Sequence, residues 1–104
     1  MQMEFRIIKS PSPGALDILL RRKSSPSSVS VEKCDAVGLV QGRLIDMVVA
    51  ADVAEKAANV TVEDIKGHCP QNLTMIAIFG DTASVEAAIR EIQFKIIPVA
   101  KKQL

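Results

Sequence analysis

The chain has 104 residues, a length that suits one domain burying roughly 60–70% of the surface its unfolded form exposes. Its 13 basic and 12 acidic residues leave a net charge of +1, so no strong field favours nucleic acid or an acidic surface. The N-terminus lacks the apolar core of a secretory signal, and no apolar run approaches the ~20 residues of a membrane span. We therefore expect a cytosolic protein that forms one domain over residues 1–104 and binds neither nucleic acid nor membrane.

The first part of the chain predicts a strand, a short helix and a second strand. Residues 4–9 carry enough β-favouring bulk for a strand, and the Pro-rich segment 10–13 ends it. Ser12 suits the N-cap of a short helix that follows. After a polar stretch, residues 29–40 predict a further strand, in which Gly38 marks a bulge or a close approach of another backbone.

A longer helix and a β-hairpin follow. The helix is predicted over about 44–58, where frequent alanines permit close approach to a sheet or to a neighbouring subunit. Residues 60–66 and 73–79 predict two strands, because both segments contain several β-favouring residues. The intervening segment 67–72 is polar and turn-rich, which predicts a hairpin with an elaborated tip.

The last predicted elements are a helix capped by Asp81 and a C-terminal tail. The helix carries apolar residues at i, i+3, i+4 and i+7, namely Val85, Ala88, Ile89 and Ile92. Residues 94–99 predict a short strand or extended segment within a tail of about 95–104, because Pro98 restricts pairing. The element order predicts an α+β fold, with an antiparallel sheet and helices packed on one of its faces.

Several segments resemble the bacterial microcompartment (BMC) shell domain. They are the stretch 35–44, the helix end 50–60, and the strand, Gly-Asp turn and helix within 78–88. The resemblance extends from residue 35 to about residue 92. Strand 4–9 and the helix after it resemble elements that usually close this domain at its C-terminus, which implies a circularly permuted member of the family.

The resemblance also implies an assembly and a site. Shell domains of this family form cyclic hexamers in which a loop, here 67–72, surrounds a central pore. The motif Gly67-x-Cys69-Pro70-Gln71 resembles that of permuted shell proteins of glycyl-radical propanediol microcompartments. In that group the cysteine is held to bind an iron–sulfur cluster, so the resemblance implies a 4Fe-4S cluster shared by several chains through Cys69. The implied partners are identical subunits, other shell proteins and enclosed enzymes.

The loop residues themselves leave alternatives open. A single cysteine is a weak metal signal, and an exposed thiol such as Cys69 is more often unligated when no motif accompanies it. Pro70 fixes its own φ and holds Cys69 towards extended angles, while Gly67 tolerates angles denied to other residues. His68 is interpreted as solvated, with ligand, donor and proton-sensitive roles as alternatives. Gln71 and Asn72 offer amide donors to a cluster or metabolite, or are ordinary turn residues.

Two further residues are candidates for structural roles. Cys34 lies in a strand-like segment and is interpreted as a small packed hydrophobe. Lys56 matches the lysine by which shell hexamers of this family meet at their edges, and its alternative is an ordinary solvated helix lysine. Residues 9–11 depart from the Pro-Arg-Pro pattern that usually supplies the complementary edge arginine.

An enzyme is not predicted, because the chain has one His, no Gly-rich phosphate loop and no paired-His metal motif. The hypothesis is therefore a structural shell protein whose pore passes metabolites or electrons. Two alternatives share the predicted fold. One is a small α+β regulatory domain that binds a metabolite between subunits, and the other is a free oligomeric electron carrier.

Overall fold

The computed structural model describes residues 3–23, 34–67 and 73–102. Its elements, in chain order, are β1 (Glu4–Lys9), α1 (Pro13–Arg22), β2 (Ala36–Arg43), α2 (Leu44–Ala57), β3 (Thr61–Ile65), β4 (Leu73–Gly80) and α3 (Thr82–Lys102). The strands form one sheet in the order β1-β2-β4-β3, and every neighbouring pair is antiparallel. The predicted α+β fold with an antiparallel sheet is confirmed.

The central pair of the sheet, β2 and β4, buries side chains on both faces. Its register runs from Ala36 opposite Gly80 to Arg43 opposite Leu73. On one face lie the buried Ala36, Val40, Ile76 and Ile78, and on the other lie Val37, Ala77 and Phe79. Because the side chains of a strand alternate between faces, two separate apolar layers result.

The sequence predicts that the helices pack on one face of the sheet, but the three helices lie on both faces. Both α2 and α3 cover the larger layer, which includes Met47, Ala50 and Ile92. The short helix α1 instead packs Leu16 and Leu19 against the other layer. A central pair that is apolar on both faces needs cover on both, so the prediction of one covered face holds only for α2 and α3.

The C-terminal segment is helical, and the prediction of a strand or extended tail over 94–99 is wrong. Helix α3 continues to Lys102, and both Ile92 and Ile96 are buried in the larger core. These two residues extend the i, i+4 pattern of the helix, and this packing outweighs the local signal of Pro98.

The predicted strand 29–40 corresponds to β2, with different bounds. Residues 24–33 lie outside the described part of the chain, and β2 runs from residue 36 to Arg43. It continues past Val40 because its partner β4 extends to Leu73, which pairs with Arg43.

Both predicted helix caps are confirmed. The Ser12 Oγ accepts a hydrogen bond from the Ala15 amide at 3.2 Å, and Pro13 opens α1. The Asp81 Oδ1 accepts one from the Ser84 amide at 2.6 Å, which satisfies a free amide at the start of α3.

Gly38 lies in the regular register of β2 and close to side chains of α3, so it marks neither a bulge nor a close approach of another backbone. A Cβ on Gly38 would lie 3.1 Å from both Val85 Cγ1 and Ile89 Cδ1, and both of these side chains are buried. In α1, by contrast, a Cβ on Gly14 would have no neighbour within 4 Å.

We expect Gly38→Ala to destabilise the fold by about 1–2 kcal/mol, because the extra methyl group overpacks the seam between sheet and helix. Gly14→Ala is the matched control and should leave stability unchanged or raise it slightly, since alanine favours a helix. Urea unfolding followed by circular dichroism measures both. Equal stability of the two variants would contradict this close packing of Gly38 against α3.

The cap at Asp81 predicts a pH dependence. The hydrogen bond from the Ser84 amide, and then that from the Ser84 side chain, lower the pKa of Asp81 below its usual 3.8. A carboxylate whose pKa is depressed by folding stabilises the fold above its unfolded pKa, and this contribution is lost as the pH falls through the folded pKa. Asp81→Asn keeps a capping oxygen that does not titrate.

The thermal midpoint of the wild type minus that of Asp81→Asn should therefore be constant near neutral pH and shrink below about pH 4. A difference that stays unchanged down to about pH 2.5 would exclude the Asp81 carboxylate as the source.

Candidate functional site

The candidate loop 67–72 connects the end of β3 to the start of β4. Strand β3 ends at Ile65, which pairs with Met75 close to the start of β4. The strands thus form the hairpin predicted from sequence. His68, Cys69, Pro70, Gln71 and Asn72 lie outside the described residues, so the roles assigned to them stay predictions.

Gly67 is the one loop residue within the described part of the chain. No described glycine has a positive φ, and a Cβ on Gly67 would meet no atom within 4 Å. The conformation of Gly67 therefore does not require glycine, contrary to the sequence argument for it.

The base of the loop is tied to the end of α1. The Lys66 amide donates to the Arg22 carbonyl oxygen at 2.7 Å, and Lys23 forms an isolated antiparallel bridge with Ile65. These backbone bonds bring the basic end of α1 beside the last residues before the loop. Sequence reasoning missed this group, since residues 22 and 66 are brought together only by the chain's path in space.

Cys34 packs as the sequence predicted. It is partly buried against the layer that contains Val37 and Phe79. Its Sγ lies 2.7 Å from the Ala36 carbonyl oxygen and 3.8 Å from that of Gly80. Gly80 ends β4 at the opposite end from the loop, so the eight residues of that strand separate Cys34 from the loop by roughly 20–25 Å.

Lys56 lies in the last turn of α2 and is exposed. Its Nζ is 3.0 Å from Asp52 Oδ2, one helical turn earlier. Exposed pairs of this kind contribute only about 0.3–0.5 kcal/mol, so Lys56 remains available to a partner.

The N-terminal half of α2 presents large apolar side chains to solvent. Leu44, Ile45, Val48 and Val49 are between 47% and 72% exposed. The opposite side of the helix is buried through Met47, Ala50 and Ala54. The sequence analysis did not identify these four residues as a contact surface. The signal that could have done so is the nearly uninterrupted apolar sequence of residues 44–51, because helices that are apolar on all sides are normally covered on all sides.

The exposed apolar side chains of α2 continue into a groove. The groove has a volume of about 360 Å³ and lies between α2 and the strands β3 and β4. Leu44 and Val48 form one wall, and Val62 and Ile76 line the other. We call these features together the α2 face, which consists of the four exposed side chains and the groove. It is the largest run of exposed aliphatic side chains on any helix among the described residues.

Within the described ranges, no three His, Cys, Asp or Glu side chains lie close enough to hold a metal ion. No helix in the same ranges has both the length and the apolar content needed to cross a membrane.

Comparison with known proteins bears on both the fold and the site. Residues 36–98 match the family described as the BMC domain. The chain is similar to the ligand-free GrpU microcompartment shell protein from Clostridiales bacterium 1_7_47FAA, with 57% identity and a TM-score of 0.66 over 86% of this chain and 87% of that one. It is also similar to the ligand-free GrpU shell protein from Pectobacterium wasabiae, with 38% identity and a TM-score of 0.67 over 86% of this chain and 99% of that one.

A more distant solved structure is similar in its fold alone. The fused permuted hexameric shell protein MSM0275 from the RMM microcompartment is 20% identical, with a TM-score of 0.63 over 86% of this chain and 42% of that one. No curated protein sequence matches the chain.

Proposed function

Because the chain belongs to the BMC-domain family of microcompartment shell proteins, we propose that it forms a cyclic hexamer whose central pore is surrounded by the loop 67–72 and holds an iron–sulfur cluster through Cys69. Proteins of this family are structural parts of the shell. The proposed function of this chain is therefore to form part of the shell and to control which metabolites or electrons pass through it. The observation that best supports the proposed hexamer is the exposed α2 face.

Apolar surface of this kind favours association with another protein surface. Burial of apolar area contributes roughly 25 cal/mol per Å², and contiguous apolar patches on soluble proteins usually mark interaction sites. Ile45 and Val48 lie one turn apart on α2, and the groove that Val48 lines is bounded mainly by apolar side chains. In a shell built from identical subunits, a second copy of the chain is the occupant that is always available.

The α2 face cannot contact itself across a twofold axis and also close a ring of six. In a cyclic hexamer each contact is head-to-tail, so the α2 face meets a different surface of the neighbouring subunit. The sixfold axis is then surrounded by six copies of every structural element, one from each subunit. The loop 67–72 connects the paired strands β3 and β4, and six copies of this loop around an axis would line a pore.

The described residues support Cys69 as the cluster ligand by limiting the alternatives. Cys34 is the chain's other thiol, and it packs into the α1-side layer at the opposite end of β4 from the loop. One chain thus offers one cysteine at the loop, whereas a cubane cluster takes up to four thiolates. Six symmetry-related copies of Cys69 exceed this number, so the cluster would break the local sixfold symmetry. When bound, such a cluster supplies one-electron transfer.

The chain order supports a circular permutation. The family match begins at residue 36, so β1 and α1 precede the matched region. Both elements nevertheless belong to the fold, because β1 pairs with β2 and α1 covers the second apolar layer. They would supply the strand and helix that usually close the domain, and the similar MSM0275 structure is itself described as permuted.

Lys56 is proposed to act at the hexamer edge, where it would exchange its contact with Asp52 for one with an adjacent hexamer. Adjacent shell proteins are thus the second class of partner, after identical subunits. Enclosed enzymes would be the third class if the pore cluster exchanges electrons with the interior.

We expect Ile45→Glu combined with Val48→Glu to dissociate the hexamer, because each charge would have to be buried in an apolar contact. Size-exclusion chromatography with light scattering measures the mass. Ala57→Glu is the control, since Ala57 is an exposed residue of the same helix outside the α2 face. Circular dichroism verifies that each variant is folded.

A hexameric mass for the wild type and the control, with smaller species for the double variant, supports the proposal. A monomeric or dimeric wild type contradicts it, and so does a folded double variant that remains hexameric.

We expect anaerobically purified wild type to carry iron and sulfide, and Cys69→Ser to lose most of both. Cys34→Ser is the matched control, because it removes the other thiol at the far end of the sheet. Iron and sulfide analysis with visible absorption, after cluster reconstitution, measures the content. Equal iron in wild type and Cys69→Ser contradicts Cys69 as ligand, and an iron-free wild type contradicts the cluster itself.

A further inference from the structure

A basic cavity lies beside the base of the loop, on the face of the sheet covered by α1. Its volume is about 410 Å³, within the usual range of small-molecule sites. Ile18 and Arg22 contribute from α1, and the strands contribute Gln41, Leu73 and Met75. Lys66 closes the end next to the loop.

Two cations face this cavity without a counter-charge. Among the described residues no carboxylate lines it, and neither Arg22 nor Lys66 takes part in a salt bridge. The neighbouring Arg21 differs in this respect, since its Nε is 3.2 Å from Asp17 Oδ2. Arg22 and Lys66 are therefore the cations of this region that remain available to a ligand.

Their proximity is built into the backbone. The hydrogen bond of 2.7 Å from the Lys66 amide to the Arg22 carbonyl holds the two residues side by side, whatever their side chains do. A basic last turn in α1 is explained by the helix dipole, which favours cations at a C-terminus. The dipole does not explain Lys66, which lies outside α1 and follows β3.

An adjoining cavity of about 460 Å³ extends the basic region over the edge of β3. It shares Arg22 and Lys66 with the first and adds Arg21 and Asp64. Among the described residues Asp64 is the single carboxylate on its wall, and it already has an interaction partner. The two cavities have the same formal net charge, but in the part of the chain that the structure describes only the first lacks a carboxylate.

We infer that the first cavity binds a short aliphatic phosphate monoester. The phosphate dianion matches the two cations, because the planar guanidinium of Arg22 offers paired donors and the Lys66 ammonium adds a point charge. The apolar side chains of Ile18, Leu73 and Met75 provide a surface for an alkyl chain of a few carbons. Gln41 offers an amide to a polar substituent.

The described residues that line the cavity are already assembled in a single protomer. Gly67 also lines the cavity, so a bound phosphate would lie next to the first residue of the loop. If the proposed hexamer forms, and this step rests on that proposal, six such sites would surround the pore and concentrate anionic metabolites at its mouth.

Titration with n-propyl phosphate, followed by ligand-observed ³¹P NMR, tests the site. We expect saturable binding with one ligand per protomer. Arg22→Gln and Lys66→Gln should each weaken it by about tenfold or more, which is the expected loss of a charge-assisted hydrogen bond. Lys95→Gln is the charge-matched control, because Lys95 is an exposed lysine of α3 paired with Glu91, and it should bind as the wild type does.

Two further ligands test the chemistry. Inorganic phosphate should bind more weakly than propyl phosphate, because it lacks the alkyl chain, and butyrate should also bind more weakly, because it carries one charge. The inference is overturned if the wild type shows no saturation, if Arg22→Gln and Lys66→Gln bind as tightly as Lys95→Gln, or if either comparison ligand binds at least as tightly.

The same titration on the Ile45→Glu and Val48→Glu double variant separates the two proposals. Unchanged binding by a dissociated protein supports a site within the protomer. Binding that disappears with the hexamer, in a folded variant, overturns it.

Discussion

The antiparallel pairing of β2 with β4 is the constraint on which the rest of the molecule depends. Both strands are buried on both faces, so each face must be covered by helices. The pair α2 and α3 covers one face and α1 covers the other. The same pairing separates the two ends of β4, with Cys34 near one end and the loop at the other. Cys34 therefore packs against an apolar layer of the core, whereas Cys69 belongs to the loop.

The two apolar sides of α2 connect the fold to assembly. One side completes the core through small residues such as Ala50 and Ala54, which let the helix approach closely. The other side leaves Ile45 and Val48 in water. Exposed aliphatic groups do not stabilise a single protomer, whereas the proposed ring of protomers would bury them. Different faces of one helix would then serve the stability of the monomer and the closure of the ring.

The end of α1 has a comparable double role. Its backbone joins β3 through the bond between Lys66 and Arg22, which anchors the start of the loop. Its side chains meanwhile bring positive charge to a cavity with an apolar floor. Since the loop begins at the next residue, Gly67, which also lines the cavity, a ligand there would lie beside the start of the proposed pore loop.

Local sequence determined the elements whose signals are local. Ser12 and Asp81 cap their helices through hydrogen bonds within three residues, and the hairpin of β3 and β4 follows from two β-favouring segments around a polar turn. Only the tertiary structure decided what depends on contacts distant in the chain. The end of α3 is helical because Ile96 reaches the core, α1 lies on the second face because that face is also apolar, and Arg22 meets Lys66 across 43 intervening residues. Sequence spacing cannot report such meetings, because burial and proximity are properties of the folded chain.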